Sequence, residues 1–265
     1  KMIGKIITTA LFTISMQATE SYVVSKAFTR KLNGHLYKTY ESTQLNTSND
    51  NQCLFYTGGS SFIPGELYNS LLHKIADKNM TVNVVNKEIK DQYILLDAIT
   101  NKKPTTLIAH SSGAIEALKA CNYLDNIKNV VLLDPVDTRF AFDKANKDKI
   151  IEPKYKVDDI LFLNAQKSYE WRVFPFKIPF IPMFALTKDN VKFNNKQFIT
   201  AKQFGHCDVL DFPWGKIMHD TLSEGLDDRD ELKIEDYHGW LADVIYTFSV
   251  NNTVEVGNEV EYSTN

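Results

Sequence analysis

Short runs of consecutive apolar residues alternate along this chain with longer stretches in which apolar residues recur every three or four positions. The runs lie at 53–57, 81–86, 105–109, 129–133, 159–165 and 197–202, and the helical pattern at 66–78, 90–100, 112–124 and about 236–249. A short unbroken apolar run reads as a strand buried on both faces of a parallel sheet. Strands alternating with helices imply an α/β chain whose sheet is doubly wound and covered on both sides. Residues 22–40 read as extended N-terminal strands (Tyr22-Val23-Val24, Leu36-Tyr37), and 41–52 as a polar loop. At 265 residues and 43% hydrophobic, the chain can bury one full core. The expected division is a targeting or edge segment at 1–20, one α/β domain at 21–250 and a polar tail at 251–265. The tail alternates around Gly257-Asn258 and reads as either a small hairpin or an acidic extension.

The run at 105–109 ends in Ala109-His110-Ser111-Ser112-Gly113, and a helical pattern follows at once. A nucleophile elbow needs this strand–turn–helix context, with small residues two before and two after the serine. Ser111 is therefore the candidate nucleophile. In an α/β-hydrolase the acid and then the histidine follow it along the chain. Asp134 stands directly after the run at 129–133, and Pro135 stops the strand there, so its carboxylate lies at a strand's C-terminal end. Glu170, past the next strand, and Asp137 are its rivals. Of the six histidines, His35 and His73 precede the nucleophile and His110 belongs to the elbow. His206 follows a strand-like run and Gly205, whereas His219 and His238 sit in helical surroundings and read as surface or packing residues. His206 is the expected base. An oxyanion needs two aimed N–H groups. Ser112 supplies one, and the Gly58-Gly59 turn after the strand at 53–57 supplies the other, from Gly59 or alternatively Ser60.

The segment 169–184 is apolar but carries Pro175, Pro179 and Pro182, which forbid a regular helix or a central strand. It reads as a wall or lid for a large hydrophobic group, or as a loop whose aromatics cap the core. As a wall, it places Trp171, Phe174 and Phe176, with Ser60, in a substrate pocket, and could meet a membrane surface.

Net charge is −3, and no basic run is interleaved with aromatics, so a nucleic-acid partner is not expected. No Cys/His spacing indicates a metal, and no cofactor is implied. The three cysteines, Cys53, Cys121 and Cys207, form no disulfide pattern. Residues 2–18 read either as the n- and h-regions of a targeting segment or as an N-terminal strand or helix.

Ala109-His110-Ser111-Ser112-Gly113, Leu132-Leu133-Asp134-Pro135-Val136-Asp137 and Gly205-His206-Cys207-Asp208-Val209-Leu210-Asp211 together resemble the chlorophyllase family of α/β-hydrolases. The resemblance spans roughly residues 50–250. It implies the α/β-hydrolase fold, a Ser111–Asp134–His206 triad, no cofactor, and hydrolysis of the phytyl ester of chlorophyll to chlorophyllide and phytol. The family's elbow is Gly-His-Ser-Arg-Gly-Gly, and here Ala109, Ser112 and Ala114 depart from it. Related lipases and general carboxylesterases share the fold, so a lipid or another hydrophobic ester is the alternative substrate. A targeting role for residues 2–18 would place the protein in a plastid or the secretory pathway.

Overall fold

The computed structural model describes residues 24–43, 51–137, 157, 159–170, 172–173, 178–179, 185–186, 191–217, 231–254 and 260–263, with the backbone alone at 169–170, 172–173, 178–179 and 260–263. In chain order the strands are β1 (Ser25–Leu32), β2 (His35–Ser42), β3 (Gln52–Tyr56), β4 (Thr81–Val85), β5 (Thr105–His110), β6 (Ile127–Leu133), β7 (Asp159–Ala165), β8 (Arg172–Val173), β9 (Ile178–Pro179), β10 (Asn195–Ala201) and β11 (Val260–Ser263). The helices of two turns or more among the described residues are α1 (Asn69–Asp77), α2 (Tyr93–Thr100), α3 (Gly113–Ala120) and α4 (Glu231–Asn251).

Nine strands form one sheet in the order β1-β2-β4-β3-β5-β6-β7-β10-β11. The run from β4 to β10 is parallel throughout. Both ends are antiparallel: β1 and β2 on one side, β11 on the other. The chain lays β4 on one side of β3 and β5 on the other, so the order reverses at β3. Open α/β sheets hold their ligands in the crevice at such a reversal, beyond the carboxyl ends of the strands.

The unbroken apolar runs follow from this burial. Successive strand residues point to opposite faces. Phe55, Ile108, Val131 and Leu161 therefore join one core with Leu71 and Ile75 of α1 and Leu241, Ile245 and Phe248 of α4. Leu54, Leu107, Val130 and Ile160 join the other with Leu95 and Leu96 of α2 and Leu118 of α3. Both faces need apolar residues, and periodicity of two disappears.

The edges depart most from the sequence reading. β1 and β2 make a hairpin through Asn33 and Gly34, both at positive φ, which suits a tight turn between twisted strands. β2 runs on to Ser42, into the stretch read as loop. Residues 66–68, read as the start of a helix, belong instead to a 3-10 turn, Gly65–Tyr68, before α1. In the tail, Val260–Ser263 pairs with β10, and the Gly257-Asn258 turn lies outside the described residues. Pro179 sits in β9, which pairs only with β8 in a separate two-stranded sheet, as a proline without an N–H requires. The remainder of the apolar 169–184 segment, including Trp171, Phe174 and Phe176, lies outside the described residues. So do the segment at 1–23 and His219.

At the sheet's N-terminal edge, buried amides hold the end of α4. The last carbonyls of a helix have no partner within it. Here the Asn129 side chain donates to the carbonyls of Phe248 and Ser249, each at 3.2 Å. Gln197 donates to the carbonyl of Asn252 at 2.8 Å and accepts from the Val254 N–H. Asn129→Ala would remove both bonds, but the Phe248 carbonyl keeps the Asn252 N–H and the Ser249 carbonyl keeps Lys128 Nζ, so urea unfolding is expected to show a loss of about 0.5–1.5 kcal/mol.

Candidate active site

The C-terminal ends of β3, β5, β6 and β10 meet around Ser111. β5 stops at His110, and Ser111 turns at φ 56°, a left-handed conformation that costs a non-glycine residue energy. Its N–H donates to the carbonyl of Leu133, and its own carbonyl accepts from Val136 and Ala114. These bonds pin the turn between β6 and the start of α3. Gly113 lies so close to β3 that a Cβ there would collide with the carbonyl oxygen of Thr57 and sit 3.0 Å from that of Tyr56. Ala109 is fully buried, and the core accommodates its methyl group at the position where the elbow usually has glycine.

Asp134 follows β6 and also has positive φ, 42°. Its N–H donates to the carbonyl of Leu163 at 2.7 Å. Its Oδ1 accepts from the Ala165 N–H at 3.1 Å. The end of β7 therefore aims the carboxylate, and Oδ2 lies 2.6 Å from His206 Nδ1. A carboxylate can only accept, so Nδ1 carries the proton and Nε2 is the ring's acceptor. Ser111 Oγ donates to that Nε2 at 2.9 Å. Asp134 and His206 are both buried.

His206 opens a 3-10 turn, His206–Val209, after the extended Gly205. Asp208 holds the turn by accepting the Gly205 N–H at 2.6 Å, and His238 of α4 donates Nε2–H to the Asp208 carbonyl at 3.0 Å. His238 is thus a buried support for the base turn. His73 bonds Ser25 at 2.8 Å, away from the site. Asp137 is fully buried further along, but His206 pairs with Asp134. Glu170 ends a short 3-10 turn after β7, and its side chain lies outside the described residues.

The Gly-Gly loop is held in an unusual state. Gly59, Ser60 and Ser61 all take positive φ, at 60°, 54° and 67°. The Ser60 N–H donates to Ser112 Oγ at 2.8 Å, and Lys90 Nζ donates to the Ser60 carbonyl at 3.2 Å. Ser60, the alternative oxyanion donor, already has an acceptor. The N–H groups of Gly59 and Ser112 make no hydrogen bond to another described residue. The sequence offered no sign of the Lys90 contact, nor of the role of the Ser112 side chain. Among the described residues, no cluster of His, Cys, Asp or Glu is placed to hold a metal ion, and no helix is long and apolar enough to cross a membrane.

No protein-family model matches the chain, and no curated protein sequence does so. Among solved structures, the fold resembles the esterase domain of a Rhodothermus marinus protein at a TM-score of 0.51 and 12% identity, covering 85% of this chain and 97% of that one. It also resembles a ferulic acid esterase from Streptomyces cinnamoneus at a TM-score of 0.57 and 9% identity, covering 92% and 97%. With the sheet order and the elbow, these likenesses show the α/β-hydrolase fold.

Behind the base turn, Asp211 accepts the Ser70 N–H at the start of α1 at 3.0 Å. Burial pushes its carboxyl up to about 6, with Glu235 adding repulsion, while the N–H groups of Ser70 and Asn69 pull the other way. A carboxyl raised in the folded state stays protonated there after the unfolded chain has ionised. Stability therefore falls as pH rises from about 4 to about 6 and levels off above. Asp211→Asn keeps the acceptor and cannot ionise. Its melting temperature relative to wild type is expected to climb over that window, which thermal unfolding between pH 4 and 7.5 would read directly.

Proposed function

We propose that the chain is a carboxylic-ester hydrolase working through Ser111, His206 and Asp134. The observation that carries this reading is the continuous hydrogen-bonded line from Ser111 Oγ to His206 Nε2 and from His206 Nδ1 to Asp134 Oδ2, at 2.9 and 2.6 Å. It supports a definite chemistry. Ser111 Oγ attacks the ester carbonyl while its proton passes to His206 Nε2. The oxyanion that forms is met by the N–H groups of Gly59 and Ser112. The intermediate collapses by breaking the bond to the alkoxy oxygen, which takes the proton from Nε2 and leaves as the alcohol. Water then adds to the acyl-serine, giving a proton to Nε2. Collapse of the second intermediate returns that proton to Ser111 and releases the carboxylic acid. Asp134 keeps Nδ1 protonated and stabilises the imidazolium at each step.

For the substrate, the Asp-Pro-Val-Asp and Gly-His-Cys-Asp-Val-Leu-Asp stretches support the phytyl ester of chlorophyll. A second reading, a general carboxylesterase or lipase, is favoured by Ser112. Where the resembled family has arginine, this chain has a short hydroxyl whose oxygen is committed to the Ser60 N–H, so the pocket lining differs there. In either reading Ser60, Trp171, Phe174 and Phe176 are proposed to line the pocket, with 169–184 reaching toward a lipid surface.

Incubation with chlorophyll a in detergent, and separately with a p-nitrophenyl ester, tests both readings. Ser111→Ala is expected to lower hydrolysis by roughly 10⁴–10⁶-fold, since triad members act as a unit. Full activity in that variant would sink the proposal. Chlorophyllide from wild type alone selects the first substrate, and serine-dependent cleavage of only the p-nitrophenyl ester selects the second.

A further inference from the structure

The elbow carries a second histidine that the proposed chemistry does not use. His110 is buried beside the nucleophile, with its ring 4.8 Å from that of His206, centroid to centroid. Its Nε2 lies 3.0 Å from the backbone carbonyl of His206. A carbonyl only accepts, so Nε2 carries the proton and Nδ1 is the acceptor. The hydroxyl of Tyr68, 2.9 Å away, donates to that Nδ1. Tyr68 Oη in turn accepts the Gly58 N–H at 2.9 Å. Gly58 has no side chain because a Cβ would press on both partners, 3.0 Å from Tyr68 Oη and 3.1 Å from His110 Nδ1.

One buried chain of hydrogen bonds thus runs from the Gly-Gly loop, through Tyr68 and His110, to the backbone of the base. Its ends belong to the loops after β3 and β10, and its middle to the elbow after β5. We infer that His110 and Tyr68 are positioning residues that lock the oxyanion loop and the base turn to the elbow, an inference that rests on the ester-hydrolase reading. The geometry has a chemical reason. Nucleophile, base and oxyanion donors come from separate strands, and a misplacement of about 1 Å between them can cost 10²-fold in rate. The bridging ring must also be uncharged, because His206 becomes an imidazolium beside it. Burial, and then the neighbouring His206, hold His110 well below the ordinary histidine range, so the bridge stays neutral throughout turnover.

Steady-state hydrolysis of p-nitrophenyl butyrate by Tyr68→Phe, His110→Leu and His110→Gln, beside wild type and Ser111→Ala, separates this role from packing. Circular dichroism checks that each variant is folded. Phe and Leu preserve bulk and remove the hydrogen bonds. Gln can still donate to the His206 carbonyl. The expected result is a fall in kcat of about ten-fold or more for Tyr68→Phe and His110→Leu with KM unchanged, and recovery to within about three-fold of wild type in His110→Gln. Labelling of Ser111 by an organophosphonate is expected to slow in the same order. Wild-type kcat in folded Tyr68→Phe and His110→Leu, or a loss ranked by side-chain volume alone, overturns the inference while an inactive Ser111→Ala leaves the ester-hydrolase reading standing. Activity surviving in Ser111→Ala overturns both.

Discussion

Gly113 has no room for a side chain, and much of the site follows from that. The first residue of α3 is pressed against the carbonyls at the end of β3. The chain must therefore leave β5 at His110 and enter α3 at Gly113 through Ser111 and Ser112 alone, and Ser111 makes the turn in a left-handed conformation. A serine in that conformation projects from the top of the sheet instead of lying along it. The strain is sustained because β6 over-determines the turn: Leu133 accepts the Ser111 N–H, and Val136 donates to its carbonyl. Asp134, two residues before Val136, is also left-handed, and its N–H is held by the carbonyl of Leu163. Ser111 and Asp134 are thus tied together through the backbone of Leu133 and Val136.

The Gly-Gly loop shows how strain on one strand is held from the next. Gly59 takes positive φ freely, but Ser60 and Ser61, the next two residues, do so at a cost. Backbone bonds within the loop, from Ser61 to Thr57, Phe62 to Gly59 and Ile63 to Gly58, are joined by others from elsewhere: Ser112 from the elbow, Lys90 from the segment before α2, and Tyr68 from the turn before α1. The loop is built into a rigid frame before any ligand arrives. Such a frame suits the oxyanion role proposed for the loop, since donors that must first reorganise lose their advantage.

How much of this could be read from the sequence divides along the same physical line. The parallel core was legible because burial on both faces writes itself as unbroken apolar runs, and the strands at 105–110 and 159–165 fall where their runs lie. Ser111, Asp134 and His206, which the structure brings into one hydrogen-bonded line, stand out because they follow such runs in the chain order that an elbow demands, His206 after the intervening Gly205. The edges were less legible. Most of β1 is solvent-exposed, so no apolar pattern marks it, although Asn33-Gly34 was a usable turn signal. β11 pairs with a strand some sixty residues earlier, and no local feature announces that. The supports of the site were not legible at all. Ser60 and Ser112, Tyr68 and His110, and Asp208 and His238 meet only through the fold, and nothing in the sequence pairs them. That the Ser60 N–H points at Ser112 Oγ could not be read from the sequence.

The two ends of the sheet do different work, and the difference is in their polar groups. At the N-terminal edge, Asn129, Gln197 and Gln52 spend their amides on backbone carbonyls and N–H groups of neighbouring elements. These bonds close helix ends and strand ends, and they leave nothing pointing at solvent. At the C-terminal edge the polar groups face one another across gaps between strands, and the line through Ser111, His206 and Asp134 ends on a hydroxyl rather than on a backbone group. Parallel strands make this asymmetry available, because every strand delivers its last residue to the same side. A left-handed residue at the end of β5, another at the end of β6 and a glycine turn after β3 then suffice to bring a serine, a carboxylate and free N–H groups together. The imidazole needs a longer reach, from β10 across β7, which is why its turn requires independent support from α4 through His238 and from α1 through Asp211.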